Sequence, residues 1–290
     1  MKKGKVYKSK NSENIILELY DRQLKSLNIE YEDIFVNTRF GKSHLVKLGN
    51  SNGKPLIMFH GGNSTSPYYL SGFKYLFQYF SIYAVDTIGH PGKSDQIHLS
   101  AKSLEYGEWA SDIIDALGFK KMNCMGGSFG GGIVIKLMCV APEKIEKAVL
   151  IVPSGIANVS TFNIAIKMGL PMMLYILTKK DYWLKKSILP MAIHEKNIDD
   201  ETYEMVKMSF EHVNVKAGMP SNVNIELLKT ANAPTLIMPA ELDCMFPGKN
   251  IIKKVKMTIP SFKIHLLKNQ GHMFKLSIEE MDMIKNFLEE

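Results

Sequence analysis

The chain has 290 residues, of which 46% are hydrophobic and 22% charged, with a formal net charge of +7. That length and balance suit a globular protein with a sizeable core and exclude a disordered or low-complexity chain. Only Arg22 and Arg39 among the 36 basic residues are arginine, and the lysines are scattered, so no nucleic-acid surface is expected.

The amino-terminal stretch MKKGKVYKSKNSENIILELY is basic but has no apolar run of secretory type. Nor does any later stretch reach the roughly 18 apolar residues of a membrane span. A cytoplasmic protein without stable membrane insertion is expected. Cys124, Cys139 and Cys244 are odd in number and widely spaced, which argues against a disulfide framework or a metal site and for buried thiols.

Ile15, Ile16, Leu19, Tyr20 and Leu24 recur at helical spacing and predict a helix over about 11–27. DIFVNT and SHLVKL, separated by Arg39-Phe40-Gly41, then read as an antiparallel hairpin. Six short apolar runs follow: PLIMFH (55–60), SIYAVD (81–86), KMNCMG (121–126), KAVLIV (147–152), PTLIMPA (234–240) and FKIHLL (262–267). Runs that are apolar at nearly every position suit strands buried on both faces, and the helical patterns between them imply crossovers in a mostly parallel sheet.

From about Ser154 to Thr230 the alternation stops and Met- and Leu-rich helical stretches take over. The expectation is an α/β fold with helices on both faces of the sheet, a core of 1–153 and 231–290, and a helical cap of 154–230 inserted before the last two core strands. Most cap methionines should pack the cap itself. A few of Met168, Met172, Met173, Tyr175, Trp183 and Met191 should line an apolar pocket, with Met168, Met172 and Trp183 the leading candidates.

DTIGHPGKSD (86–95) contains the Gly-Lys-Ser half of a phosphate-binding loop, but Thr87 stands where that loop needs its first glycine. A second motif explains more. Directly after the fifth strand, Gly126-Gly127-Ser128-Phe129-Gly130 fits G-x-S-x-G, the strand-to-helix elbow that exposes a nucleophilic serine.

A serine hydroxyl needs a base to take its proton, and that base needs an orienting acid. Asp243 falls just past the seventh strand and His272 just past the eighth, and the chain order Ser128, Asp243, His272 is the order of this elbow architecture. Glu241 is an alternative acid, whereas His265 lies within a strand pattern and reads as a packed or edge histidine. Oxyanion donors are expected from the Phe129 amide and from HGGNSTS (60–66), with Gly62 the first choice and Asn63 the second; His60 reads as a structural residue that orients this loop.

The motifs HGGNSTS, DTIGHPGKSD, GGSFGG, ELDCMFP and QGHMF, spread over the whole length, resemble those of the α/β-hydrolase superfamily, and within it the capped bacterial carboxylesterases. The opening hairpin FVNTRFGKSHLVKLG is similar to the start of the naproxen-type carboxylesterases of Bacillus. His90-Pro91 departs from the small or aromatic pair usual before Gly92 in the turn after the fourth strand, which bears on pocket shape and not on the triad.

The resemblance implies a serine hydrolase acting on a small-molecule carboxylic ester, without metal or organic cofactor, and the Met-rich cap suggests an apolar acyl group. Thioesters, lactones, amides, carbon–carbon bonds and perhydrolysis remain alternatives for the same triad, as does a slow-turnover ligand-binding protein. Monomer and homodimer are equally open.

Overall fold

The computed structural model describes residues 4–159, 161–214 and 218–290, with 161–166 described by backbone alone. Helix α1 (Lys10–Ser26) leads into the hairpin β1 (Tyr31–Thr38) and β2 (Gly41–Gly49), followed by β3 (Lys54–Phe59), α2 (Ser66–Ser71) and β4 (Phe80–Val85). Next come α3 (Glu105–Ala116), β5 (Met122–Gly127), α4 (Phe129–Val140) and β6 (Ile145–Ile151). Four helices then intervene: α5 (Thr161–Thr178), α6 (Asp181–Ala192), α7 (Asp200–His212) and the short α8 (Ile225–Leu228). The chain returns to the sheet with β7 (Thr235–Met238), α9 (Gly248–Val255), β8 (Phe262–Ile264) and α10 (Ile278–Glu289).

The eight strands form one sheet in the order β1-β2-β4-β3-β5-β6-β7-β8. β2 is antiparallel to both β1 and β4, and all remaining pairs are parallel. The apolar runs of the central strands follow from this layering. Leu56 and Met58 face the core beneath α1, α2 and α10, while Ile57 and Phe59 face the core beneath α3, α4 and α9. Val149 and Ile151 against Ala148 and Leu150 repeat the alternation on β6. Period-two geometry sends successive side chains to opposite faces, so a strand covered on both must be apolar throughout.

The last two strands are shorter than their apolar runs: β7 has four residues and β8 three. His265 therefore lies past the end of β8 and not within it; its Nε2 meets Glu280 Oε1 at 3.0 Å, which ties the strand end to α10. α10 itself starts on a capping box, with the Ser277 hydroxyl accepting from the Glu280 amide and the Glu280 carboxylate accepting from the Ser277 amide.

Lys136 sits in the apolar run of α4 and is buried. Its Nζ donates to the carbonyls of Ala101, at 2.6 Å, and Ser103, pinning the loop before α3. Burial, only partly offset by Cys139 and Glu105, lowers its pKa to about 8.

Because β3 and β5 to β8 all run the same way, their carboxyl ends share one edge of the sheet. Open α/β sheets gather functional loops there.

Candidate active site

Ser128 occupies the bend between β5 and α4 with φ 52° and ψ −114°. Positive φ at a residue carrying Cβ costs about 1–3 kcal/mol, so the surroundings must hold it. The Ser128 amide donates to Ile151 O at 3.0 Å, and its carbonyl accepts from the Gly132 amide and from both the amide and hydroxyl of Ser154, each at 3.1 Å. Strand and helix pass so closely that a Cβ at Gly126 would lie 2.6 Å from Gly131 N, and one at Gly130 would lie 2.8 Å from His60 O.

The three residues expected to act together do meet. Ser128 Oγ is 2.9 Å from His272 Nε2, and His272 Nδ1 is 2.9 Å from Asp243 Oδ2. An ionised carboxylate only accepts, so Nδ1 carries the imidazole proton and Nε2 is free to accept from the serine. Asp243 Oδ1 accepts from the amides of Met245, at 2.7 Å, and Phe246, at 2.9 Å. Burial pulls the Asp243 pKa upward, but the charge and hydrogen bond of His272 and these two amides outweigh it and hold the carboxyl below its ordinary value. The alternative acid, Glu241, is exposed and points elsewhere: its Oε2 accepts from the Asn269 amide at 3.0 Å.

Gly62 lies beside Phe129, since a Cβ added to it would touch the Phe129 ring at 3.6 Å. Neither the Gly62 nor the Phe129 amide has an acceptor among the described residues. The Asn63 amide, the second expectation for an oxyanion donor, is instead taken by His90 Nδ1 at 3.2 Å, with Asn63 held at φ 55°. Sequence reasoning missed this use of His90, although the unusual His90-Pro91 pair marked the place. His60 is structural, as expected: Nδ1 donates to Gly61 O at 2.7 Å and Nε2 accepts from the Thr87 amide at 3.0 Å.

DTIGHPGKSD is no nucleotide cradle. The segment folds around buried Asp86, whose carboxylate accepts from the Lys93 amide at 2.8 Å and from the Ser66 hydroxyl, and meets His44 Nδ1 at 2.8 Å. The Lys93 ammonium turns away to Asp21, at 3.2 Å, and Asp33, at 3.6 Å.

Burial lowers the pKa of His60, and lowers that of His90 far below 6.5, with His60 and His98 pushing His90 the same way. An unfolded chain therefore takes up these protons first as pH falls. Stability is whole above about pH 6.5 and is lost as pH drops towards the folded values, each group contributing up to about 1.4 kcal/mol per pH unit. Urea midpoints at about pH 8 and about pH 5.5 should differ accordingly, and His90→Phe should flatten the decline; equal midpoints in the wild type would contradict this.

Met172 and Trp183 pack with buried Tyr175, Leu184 and Ile188 between the helices that follow β6, and Met191 joins the same cluster. Met173 is 51% exposed, on the opposite side of α5 from Met172 and Tyr175. Met168 is half-buried on the same helix. The cluster reaches the histidine loop through Met273, whose amide donates to Met191 O at 3.0 Å. Cys124 is buried, while Cys139 and Cys244 are half-buried, and all three are free.

A family model described as alpha/beta hydrolase fold matches residues 54–186. The chain is 26% identical over 275 residues to carboxylesterase YbfK of Bacillus subtilis, covering 92% of this chain and 90% of that one. The uncharacterized carboxylesterase nap of the same organism is 23% identical, covering 91% and 87%. The crystal structure of carboxylesterase CesB (YbfK) from Bacillus subtilis superposes with a TM-score of 0.80 at 24% identity, over 96% of this chain and 98% of that one. That of naproxen esterase, also from Bacillus subtilis, gives 0.79 at 20%, over 96% and 97%. The chain has the α/β-hydrolase fold.

Proposed function

We propose that this chain, an enzyme of the α/β-hydrolase fold, cleaves carboxylic esters through an acyl-enzyme formed on Ser128. What carries the reading is the hydrogen-bonded line from Ser128 Oγ through His272 to Asp243, with two unoccupied amides beside the serine. The similarity to Bacillus carboxylesterases supports the ester as the bond cleaved.

In this mechanism Ser128 Oγ attacks the ester carbonyl carbon as His272 Nε2 takes its proton. The carbonyl oxygen becomes an oxyanion and accepts from the Gly62 and Phe129 amides. The tetrahedral intermediate expels the alcohol, which receives its proton from His272. Water then attacks the acyl-enzyme with His272 again as base, releasing the acid and restoring Ser128. Asp243 holds the Nδ1 proton and stabilises the imidazolium in both halves. Its two backbone donors keep the carboxylate ionised and aimed.

Residues 154–230 act as a cap over this centre, on a core of 1–153 and 231–290. The contact of Met273 with the cap cluster and with Met191 supports that division, because it joins the inserted helices to the loop bearing His272. A cap rich in methionine and aromatic residues suits an apolar acyl group, with Met168, Met172 and Trp183 as the candidate lining of its pocket.

Initial rates on p-nitrophenyl esters of increasing acyl length, for the wild type and Asp243→Asn, test the reading. The wild type should turn over, and Asp243→Asn should retain its fold but lose about 10⁴-fold in kcat, because the amide favours the wrong imidazole tautomer. A wild type inert on the whole series would sink ester hydrolysis and favour a ligand-binding protein on this scaffold.

A further inference from the structure

The sequence from Lys167 to Lys186, KMGLPMMLYILTKKDYWLKK, carries five lysines and a single acid, Asp181. It spans α5 and the first half of α6, and its two faces differ. Met172 and Tyr175 turn inward to the cluster with Leu184 and Ile188. Leu170, Met173 and Leu177, at i, i+3 and i+7, form an outward stripe that Ile176 widens, and Tyr182 extends it onto α6.

These side chains are well exposed: 56% for Leu170, 60% for Ile176 and 73% for Leu177. Among the described residues the other large exposed apolar side chains occur singly or in pairs, such as Tyr31 with Phe35 and Ile278 with Met283, whereas these five fall within 13 consecutive positions, 170 to 182. Scattered exposed apolar residues are ordinary on a protein surface, but a contiguous apolar stripe marks a surface that something covers.

The charges around the stripe say what. Lys167 stands at one end of it and Lys179 and Lys180 at the other, all exposed, with Lys185 exposed and Lys186 half-buried on α6. Lys186 Nζ lies 5.6 Å above the Tyr182 ring. Asp181 is engaged by Lys207 at 3.1 Å, and among the described residues these lysines form an ion pair only through Lys179, with Glu211 at 4.0 Å. A second copy of the chain would bring two such lysine sets face to face across a twofold axis, with Asp181 and Glu211 already engaged by lysines of their own chain.

Among the described residues no helix is long and apolar enough to cross a membrane. A surface helix that packs one apolar face on the protein and exposes a second apolar stripe ended by lysines instead lies in the plane of a lipid surface, its exposed side chains among the acyl chains and the ammonium groups at the phosphates.

We propose that the outer face of α5 and the start of α6 seats this protein on an anionic lipid surface. Binding in this way orients the inserted helices, and the His272 loop that they touch, towards the bilayer. The seat does not depend on ester hydrolysis.

The test is co-sedimentation of the full chain with vesicles of phosphatidylglycerol and phosphatidylcholine, against phosphatidylcholine alone, at about 0.05 M and about 0.5 M NaCl. The wild type should bind the anionic vesicles at least about tenfold better than the neutral ones and should lose that preference at high salt. Ile176→Ser with Leu177→Ser, and separately Lys179→Glu with Lys180→Glu, should each weaken binding at least about tenfold, with melting temperature and turnover of a soluble p-nitrophenyl ester unchanged. No binding, or equal binding to neutral vesicles, overturns the proposal. So does a wild-type dimer in sedimentation velocity that Leu177→Ser dissociates, which would make this face an interface between copies. Because binding is read without turnover, the result stands whether or not the protein proves to be an esterase.

Discussion

Ser128→Ala is expected to lower kcat on a p-nitrophenyl ester by about 10⁵- to 10⁶-fold while leaving KM within a few-fold of the wild type. The substitution removes one oxygen atom, the one that meets His272 Nε2 at 2.9 Å, and leaves the Cβ and the backbone in place. His272 stays oriented by Asp243, and the proposed oxyanion donors, the Gly62 and Phe129 amides, are untouched, so substrate binding and some oxyanion stabilisation should persist without a nucleophile. The melting temperature should move by only a few degrees, since the elbow is held by Ser128 N and O and not by its hydroxyl. Steady-state kinetics beside a thermal melt check both halves. Retention of more than about 1% of wild-type kcat would mean that another group attacks the carbonyl.

Gly130→Ala is expected to have the largest effect on stability, at least about 4 kcal/mol, equivalent to a fall of about 8 °C or more in melting temperature. The added Cβ would lie 2.5 Å from the Phe59 carbonyl carbon, closer still to its oxygen, and 2.8 Å from His60 O. All of these are backbone atoms at the end of β3, inside a core packed on both sides, so none can move aside as a flexible side chain would. The same shift would displace His60 and with it the loop carrying Gly62. Surviving folded protein should therefore also lose kcat. Thermal melts and soluble yield measure the first effect. A variant that melts within about 2 °C of the wild type would show that α4 and β3 are less tightly apposed than the structure has them.

The central strands were readable in the sequence because each must be apolar on both faces, which leaves short runs such as PLIMFH and KAVLIV between helical patterns. The elbow was readable because close strand–helix passage demands glycine on either side of the bend. Asp243 and His272 followed from their places after apolar runs, although β7 and β8 proved shorter than those runs.

What stayed hidden depends on partners distant in the chain. Nothing local marks His90 as the acceptor for the Asn63 amide, nor Lys136 as the donor to the Ala101 and Ser103 carbonyls, nor Ser154 as the support of the Ser128 carbonyl. The outward turn of Met173 was hidden for another reason. α5 is apolar nearly all round, and such a helix carries no periodicity to tell its inner face from its outer one.

The measurement that bears most directly on the mechanism is intact-mass analysis after incubation with a fluorophosphonate, followed by peptide mapping of the adduct. An activated serine held by His272 and flanked by two amides should form one adduct, on Ser128, and Ser128→Ala should form none. Failure of the folded wild type to react, or an adduct that maps elsewhere, would contradict the mechanism.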